Sequence, residues 1–86
     1  MQIRYNKEKN EWLREKRGIT FQDVADIIKS GKYLSIKQNP SRNHRNQKCF
    51  IININDYIYL VPYVEESDYI FLKTIYRSRK YTAIYL

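Results

Sequence analysis

Three β-prone runs follow one another closely in the second half of the chain, and they limit the folds that it can adopt. They cover residues 48–53, 57–64 and 68–81. Asn55–Asp56 is a hairpin turn signal between the first two runs, and the polar residues 65–68 turn into the third. Because such short connections join strands that lie side by side, the runs predict an antiparallel β-meander. A weaker alternating run over residues 33–38 adds a fourth strand.

A first helix is predicted over residues 7–17, ahead of the strands. Asn6 is a suitable N-cap, because its side chain can accept a hydrogen bond from the first turn. Gly18 follows the last two basic residues of the helix, a pattern typical of a helix C-terminus. Trp12 and Leu13 are expected to form its apolar stripe.

A second helix follows almost at once. Thr20 is its predicted N-cap, and Asp23 completes a weaker form of the capping box. Apolar residues then recur at helical spacing until Gly31 ends the helix. Because residues 18–20 alone separate the two helices, they are expected to form a tight hairpin. Residues 2–5 can add a short first strand.

The predicted fold is therefore a two-layer α+β domain over residues 1–86. In it, the N-terminal helix hairpin packs on a four-stranded antiparallel β-sheet. A chain of 86 residues suits one domain with a modest core. Glycine and proline, two of each, are too scarce for a disordered chain of low complexity.

The last run, residues 68–81, begins apolar and ends basic. Read as one continuous strand, it presents two alternating faces. One face carries Phe71, Lys73, Ile75, Arg77 and Arg79, and the other carries Ile70, Leu72, Thr74, Tyr76 and Ser78. Such a strand would begin in the core and hold basic groups rigidly at the surface. The alternative is an ordinary strand with a solvated end.

Charge is segregated along the chain, which has a net charge of +7. Residues 32–50 carry five basic residues and no acidic one, and residues 69–86 carry four basic residues and no acidic one. Residues 51–68, between them, carry four acidic residues and no basic one. If the two basic blocks meet in space, they form a patch suited to a polyanion.

The sequence lacks the usual signatures of cofactor and metal chemistry. It has no glycine-rich phosphate loop, and one histidine with one cysteine cannot form a usual zinc site. Cys49 lies within an apolar run, which favours a buried thiol over a nucleophile. His44 alone has an ordinary pKa near neutrality, although a lone loop histidine can also be an exposed bystander. No cofactor or metal is therefore expected.

Hydropathy predicts neither a membrane span nor a signal peptide, because no apolar stretch is long enough and the N-terminus is polar. With no possible intrachain disulfide, a cytoplasmic location is expected.

A series of short motifs runs through the chain in a fixed order and spacing. They are Tyr5–Asn6, Lys9, Lys16–Arg17–Gly18, Ile19, Thr20, Phe21, Val24–Ala25 and Arg77–Ser78–Arg79–Lys80–Tyr81. In these motifs the chain resembles the BrnT family of toxins from bacterial type II toxin–antitoxin systems. Arg17 stands where that family has histidine, Leu13 where it has asparagine, and Gln47–Lys48 where it has a Glu-Arg pair. The family's helix after the last motif is not expected here.

The resemblance implies a RelE-like fold and a metal-independent endoribonuclease that cleaves mRNA and inhibits translation. It also implies an antitoxin of the ribbon-helix-helix type, through which alone the chain would meet operator DNA, and no membrane partner. The implied catalytic residues are Arg79 as phosphate clamp, Lys80, Lys16, Arg17 and His44. The implied RNA-binding residues are Arg77, Lys48, Tyr81, Arg42, Arg45 and Lys9.

Two other readings stay open. A non-catalytic basic module could hold RNA or an acidic protein without cleaving anything, and the departures from the family pattern favour it. Nine tyrosines also suit a structural subunit of a larger assembly, because tyrosine is common at interfaces.

Overall fold

The computed structural model describes residues 1–39 and 47–86, which form an α+β domain as predicted. Its elements in chain order are β1 (Gln2–Tyr5), α1 (Lys7–Arg17), α2 (Phe21–Lys29), β2 (Ser35–Gln38), β3 (Lys48–Ile54), β4 (Tyr57–Glu65), β5 (Tyr69–Leu72), β6 (Tyr76–Arg77) and α3 (Arg79–Tyr85). In the described part of the chain, no helix is long and apolar enough to cross a membrane.

The bounds of α1 are those predicted. The Asn6 side chain accepts a hydrogen bond from the Lys9 backbone N–H at 2.8 Å. Gly18 ends the helix in the left-handed region, at φ +67°, which favours glycine. Leu13 is buried as expected, but Trp12 is 39% exposed, so its placement in the buried stripe was wrong. Asn10, three positions from Leu13, shares its face of the helix, whereas the adjacent Trp12 does not.

Asn10 occupies the buried position beside Leu13 and joins the two helices. Its Oδ1 accepts a hydrogen bond from the Phe21 backbone N–H at 2.7 Å. Its Nδ2 donates to Gln22 Oε1 at 2.9 Å. A polar side chain is tolerated in this buried place because both of its polar atoms have partners.

The N-terminus of α2 carries the predicted capping box. Thr20 Oγ1 accepts from the Asp23 backbone N–H at 3.2 Å, and the Asp23 carboxylate accepts from the Thr20 backbone N–H at 3.0 Å. These two bonds satisfy backbone donors that the start of a helix otherwise leaves free.

The sheet differs from the predicted four-stranded antiparallel one. Among the described residues, six strands form a mixed sheet in the order β1-β5-β4-β3-β2, and β6 also pairs with β4. The predicted meander is present in β2 to β5, but β1 joins β5 in parallel. At the β3–β4 hairpin, Asn55 and Asp56 both have positive φ, as a type I′ turn requires.

The predicted single strand over residues 68–81 is wrong, because a bulge and a helix interrupt it. Leu72 lies opposite Tyr63, and Tyr76 lies opposite Leu60. Four steps along the last strand therefore match three steps along β4, which leaves one extra residue in the bulge. Because side chains alternate along a strand, each side chain after the bulge points to the face of the sheet opposite to the one that unbroken alternation would give it.

The exchanged faces are visible in the packing. Ile70 and Leu72 lie in the main core, and after the bulge Ile75 lies there as well. Tyr76, by contrast, packs on the opposite side of the sheet. Arg77 shares the face of Ile75, so a basic side chain comes to lie on the side that carries α1 and α2.

Two clusters of buried side chains lie on the two sides of the sheet. The main core contains Leu13, Ile19, Phe21, Val24, Phe50, Ile52, Val61, Tyr63, Ile70, Leu72 and Ile75, so the helix hairpin covers this face as predicted. The second cluster contains Cys49, Ile51, Ile58 and Leu60. Tyr81 and Tyr85 of α3 pack against it.

The expectation that no helix follows the last motif was therefore also wrong. Ser78 caps α3 by accepting a hydrogen bond from the Tyr81 backbone N–H at 3.1 Å. Thr82 Oγ1 accepts from the Ile58 backbone N–H at 2.9 Å, which ties α3 to β4. Seven residues suffice because tertiary contacts stabilise the helix.

Candidate nucleic-acid interface

The exposed face of α1 carries two cations on one aromatic ring. Lys9 Nζ lies 4.4 Å from the centroid of the Trp12 ring, and Arg17 Cζ lies 4.9 Å from it. Lys9 precedes Trp12 by three residues, so the two share a face of the helix. Each contact contributes about 0.5–1 kcal/mol at an exposed site. Together they hold the indole at the surface.

Arg17 also links α1 to the C-terminal part of the chain. Its Nη1 donates a hydrogen bond to the backbone carbonyl of Ile75, 58 residues away. The side chain of Ile75 is fully buried, and β6 begins directly after it. The structure therefore brings the end of the first helix next to the strand that carries Arg77.

Arg77 makes a third contact between a cation and a ring on this side of the molecule. Its Cζ lies 4.2 Å from the centroid of the Tyr57 ring. Arg77 lies opposite Tyr59 in the strand register, and the Tyr57 and Tyr59 rings meet edge to face with centroids 6.2 Å apart. Tyr59 is half-buried against the main core, so the pair has a rigid base.

We refer to Lys9, Trp12, Arg17, Tyr57 and Arg77 as the cation–aromatic surface. Throughout residues 1–39 and 47–86, no carboxylate forms an ion pair with any of its three cations. The recorded ion pairs, Arg14–Glu11 at 3.7 Å and Lys48–Glu65 at 3.8 Å, lie elsewhere and are exposed. The three positive charges are therefore available to an anionic ligand.

Lys48 does not join this surface. It pairs with Glu65 and lies opposite Tyr63, four residues along β4 from the residue opposite Arg77. Four residues of a strand span about 13 Å. Lys48 and Arg77 therefore lie on separate parts of the sheet, and the RNA-binding role of Lys48 stays a prediction. Arg42, His44 and Arg45 lie outside the described residues.

Arg79 and Lys80 stand on α3 and not on a strand. They are the first two residues of that helix and are exposed, close to Arg77 in the chain. Lys80 Nζ lies 5.8 Å from the centroid of the Tyr81 ring, which packs on the second cluster. The helix dipole disfavours cations in a first turn by about 0.3–1 kcal/mol each. Here no acidic residue in that turn offsets them.

Lys16 is exposed in the last turn of α1. A cation there is favoured by the helix dipole, so its position alone indicates no binding role.

Buried titratable groups cannot act as nucleophiles near neutral pH. Burial raises the pKa of the Cys49 thiol to about 12, with a smaller opposing effect from a backbone hydrogen bond. The thiol is therefore protonated and enclosed, as predicted from its apolar run. Burial is also the main cause that raises the pKa of Tyr76 and of Tyr63, so both phenols stay neutral.

Trp12 and Tyr57 were missing from the predicted site. Trp12 was expected in the apolar stripe of α1, although its spacing from Lys9 indicated a shared helix face. Tyr57 follows a hairpin turn and alternates with Tyr59, which could have placed both rings on one face.

Comparisons with protein-family models, curated proteins and solved structures find no match to this chain.

Proposed function

We propose that this chain is the toxin of a type II toxin–antitoxin pair, a metal-independent endoribonuclease that holds single-stranded mRNA on the cation–aromatic surface. The observation that carries the proposal is the pairing of three cations with exposed or half-exposed rings, on two segments joined by the Arg17–Ile75 hydrogen bond. The resemblance to BrnT toxins supplies the reaction.

Such a surface suits single-stranded RNA for two reasons. Cations that are not bound to carboxylates can neutralise phosphates and release counterions. Aromatic rings and guanidinium planes can stack unpaired bases, a contact open to any base sequence. Trp12 and Tyr57 supply the rings, while Lys9, Arg17 and Arg77 supply the charge.

Cleavage in this proposal is an attack of the ribose 2′-oxygen on the adjacent phosphorus, with the 5′-oxygen as leaving group. A base removes the 2′-hydroxyl proton, and an acid protonates the leaving oxygen. Arg79 clamps the phosphoryl oxygens through its paired donors, and Lys80 supports it. Arg17 cannot transfer protons, so its role is to bind phosphate and to hold Trp12. Proton transfer falls to His44 or a lysine.

A second candidate is a non-catalytic module that binds RNA. One specific observation favours it. Arg17 stands at the position of the family's histidine, yet its guanidinium is used on the Ile75 carbonyl and the Trp12 ring. A side chain fixed in this way binds and positions, and it replaces a group that could have moved protons.

The proposed antitoxin partner follows from the same surface. An acidic segment of a ribbon-helix-helix protein would complement the three cations, none of which is paired with a carboxylate of the described residues, and would exclude RNA from them. Co-expression of the chain with the product of a small neighbouring gene, followed by copurification, tests this part.

The test of function compares the wild type with Arg77→Ala and Arg79→Ala, and Arg14→Ala is the matched control. Arg14 loses the same charge but lies on α1 outside the surface, paired with Glu11. The substrates are a single-stranded RNA and a DNA of the same sequence, which lacks the attacking 2′-hydroxyl. Reactions contain EDTA, and growth after expression in bacteria is followed in parallel.

The proposal predicts cleavage of the RNA but not the DNA, growth arrest, and loss of both effects in Arg79→Ala but not in Arg14→Ala. Arg77→Ala should weaken RNA binding. Salt-sensitive binding that leaves the RNA intact would support the second candidate instead. If RNA does not bind at moderate salt, both candidates are wrong.

A further inference from the structure

A cavity lies directly beside the cation–aromatic surface, between the helix hairpin and the β3–β4 turn. Its volume is about 350 Å³, within the range of small-ligand pockets. Gly18, Ile19, Asp23, Ile27, Ile54, Asn55 and Tyr59 line it. Three isoleucines and Tyr59 supply apolar and aromatic surface, while Asp23 and Asn55 supply a carboxylate and an amide. A flat polar ring needs both kinds of contact.

The cavity adjoins the proposed RNA track on two sides. Gly18 follows Arg17 in the chain, so one wall begins where that cation ends. Tyr59 lies opposite Arg77 in the register and touches Tyr57, so another wall is continuous with the contact between Arg77 and Tyr57. A phosphate on either arginine would place the attached nucleotide next to the cavity.

We propose, on the basis of the proposed function, that this cavity is a base-binding pocket that selects guanine. The Asp23 carboxylate is exposed, and its Oδ2 accepts one hydrogen bond from the Thr20 backbone N–H. A carboxylate accepts about four hydrogen bonds and donates none, so acceptor capacity remains. Guanine alone among the four bases presents two adjacent N–H donors, N1–H and N2–H, on its pairing edge.

The other bases fit this carboxylate less well. Adenine and cytosine each place an acceptor nitrogen beside their amino group, and uracil flanks its single N–H with two carbonyl oxygens. Each of these acceptors would face a negative charge. Asp23 also repels phosphates, so a base edge and not the backbone is expected to occupy the cavity. Tyr59 offers a ring for stacking, and Asn55 offers amide donors for the guanine carbonyl.

The test measures the binding of four short uridine-rich RNAs that differ at one central position, which is G, A, C or U. Fluorescence anisotropy is recorded for the wild type, Asp23→Asn, Asn55→Gly and the control Asp26→Asn. Asp26 lies on the same helix, is exposed and does not line the cavity, so its variant changes the charge equally. Asn55→Gly leaves α2 unchanged and keeps a residue that tolerates positive φ, so it remains informative if Asp23→Asn fails to fold.

The pocket predicts that the wild type binds the G-containing RNA at least about fivefold more tightly than the others, from the usual discrimination of a paired base contact. Asp23→Asn and Asn55→Gly should reduce this preference, and Asp26→Asn should retain it. If the four RNAs bind equally well to the wild type, the pocket is wrong while the proposed RNA binding stands. If none of them binds, the proposed function fails first.

Discussion

Replacement of Asn10 by alanine removes the side chain that joins α1 to the first turn of α2. The backbone N–H of Phe21 loses its acceptor, and Gln22 loses the amide that donates to it. Both Asn10 and Phe21 are buried, so water has little access to the freed donor. Gln22→Ala is the matched control, because it breaks the exposed half of the pair alone.

Three contributions decide the size of the effect. A buried donor without a partner costs about 1–3 kcal/mol, and the lost bond to Gln22 costs about 0.5–1.5 kcal/mol. Alanine has the higher helix propensity, which returns up to about 0.7 kcal/mol. Asn10→Ala should therefore lower the free energy of unfolding by about 1–4 kcal/mol. In a domain of this size that corresponds to a fall in Tm of at least about 4 °C.

Urea denaturation followed by circular dichroism measures both variants. Gln22→Ala should cost no more than about 1.5 kcal/mol, because the Phe21 N–H keeps its acceptor. Equal losses below about 1 kcal/mol in the two variants would refute the role of Asn10 as the clamp between the helices. An unchanged slope of free energy against urea confirms that the comparison concerns the folded state.

Four further predictions concern α3, the buried thiol and the proposed interface, and two of them concern the thiol. Thr82→Val removes the acceptor of the Ile58 backbone N–H and should lower the free energy of unfolding by about 1–3 kcal/mol. Hydrogen exchange at the Ile58 amide should become faster. Unchanged exchange at that amide would contradict the tie between α3 and β4. Cys49 should resist thiol reagents at pH 8 unless urea unfolds the chain. Because its folded pKa is raised from 9.0 to about 12, its contribution to stability is complete below pH 9 and is lost as the pH rises towards 12. Cys49→Ala should flatten the decline in unfolding free energy above pH 9, and an unchanged decline would exclude the thiol as its source. Arg77→Ala should reduce the slope of log affinity for single-stranded RNA against log salt by about 0.7, whereas Arg14→Ala should not change it.

Local signals in the sequence predicted α1 and α2 accurately. Asn6, Gly18 and Thr20 act on backbone groups within a few residues of themselves, so a short window contains all the physics that ends or begins a helix. The hairpin at Asn55–Asp56 is local in the same sense. The α+β class follows from these elements, because their apolar faces must be buried against each other.

Features set by distant contacts were not predictable in this way. The parallel pairing of β1 joins residues more than 60 positions apart, and nothing near Gln2 indicates its partner. Asn10 is the residue buried beside Leu13, where Trp12 was expected, because Phe21 and Gln22 supply its hydrogen bonds. α3 depends on the hydrogen bond that the Thr82 hydroxyl accepts from the Ile58 backbone N–H of β4.

In the candidate site, too, features that depend on local sequence were predictable and features that depend on distant contacts were not. Composition and charge indicated which cations to consider, and Arg17 and Arg77 do lie on one surface. The contact of Arg77 with Tyr57 was missed because a one-residue bulge decides which way Arg77 faces, and alternation cannot show an insertion in the ladder. Trp12 was missed for a different reason, since it was placed in the apolar stripe of α1.

The Arg17–Ile75 hydrogen bond makes the cation–aromatic surface depend on the local stability of β5 and β6. The carbonyl that holds Arg17 belongs to a residue whose side chain is fully buried, and Arg77 lies two residues further on. Any local opening of β5 and β6 would therefore release both arginines at once and dismantle the surface while α1, α2 and β3 could persist. The fraction of molecules able to bind an anionic ligand is then set by the free energy of this partial opening, and not by that of complete unfolding. A ligand seated across the two arginines would in turn protect the amides of β6 from exchange.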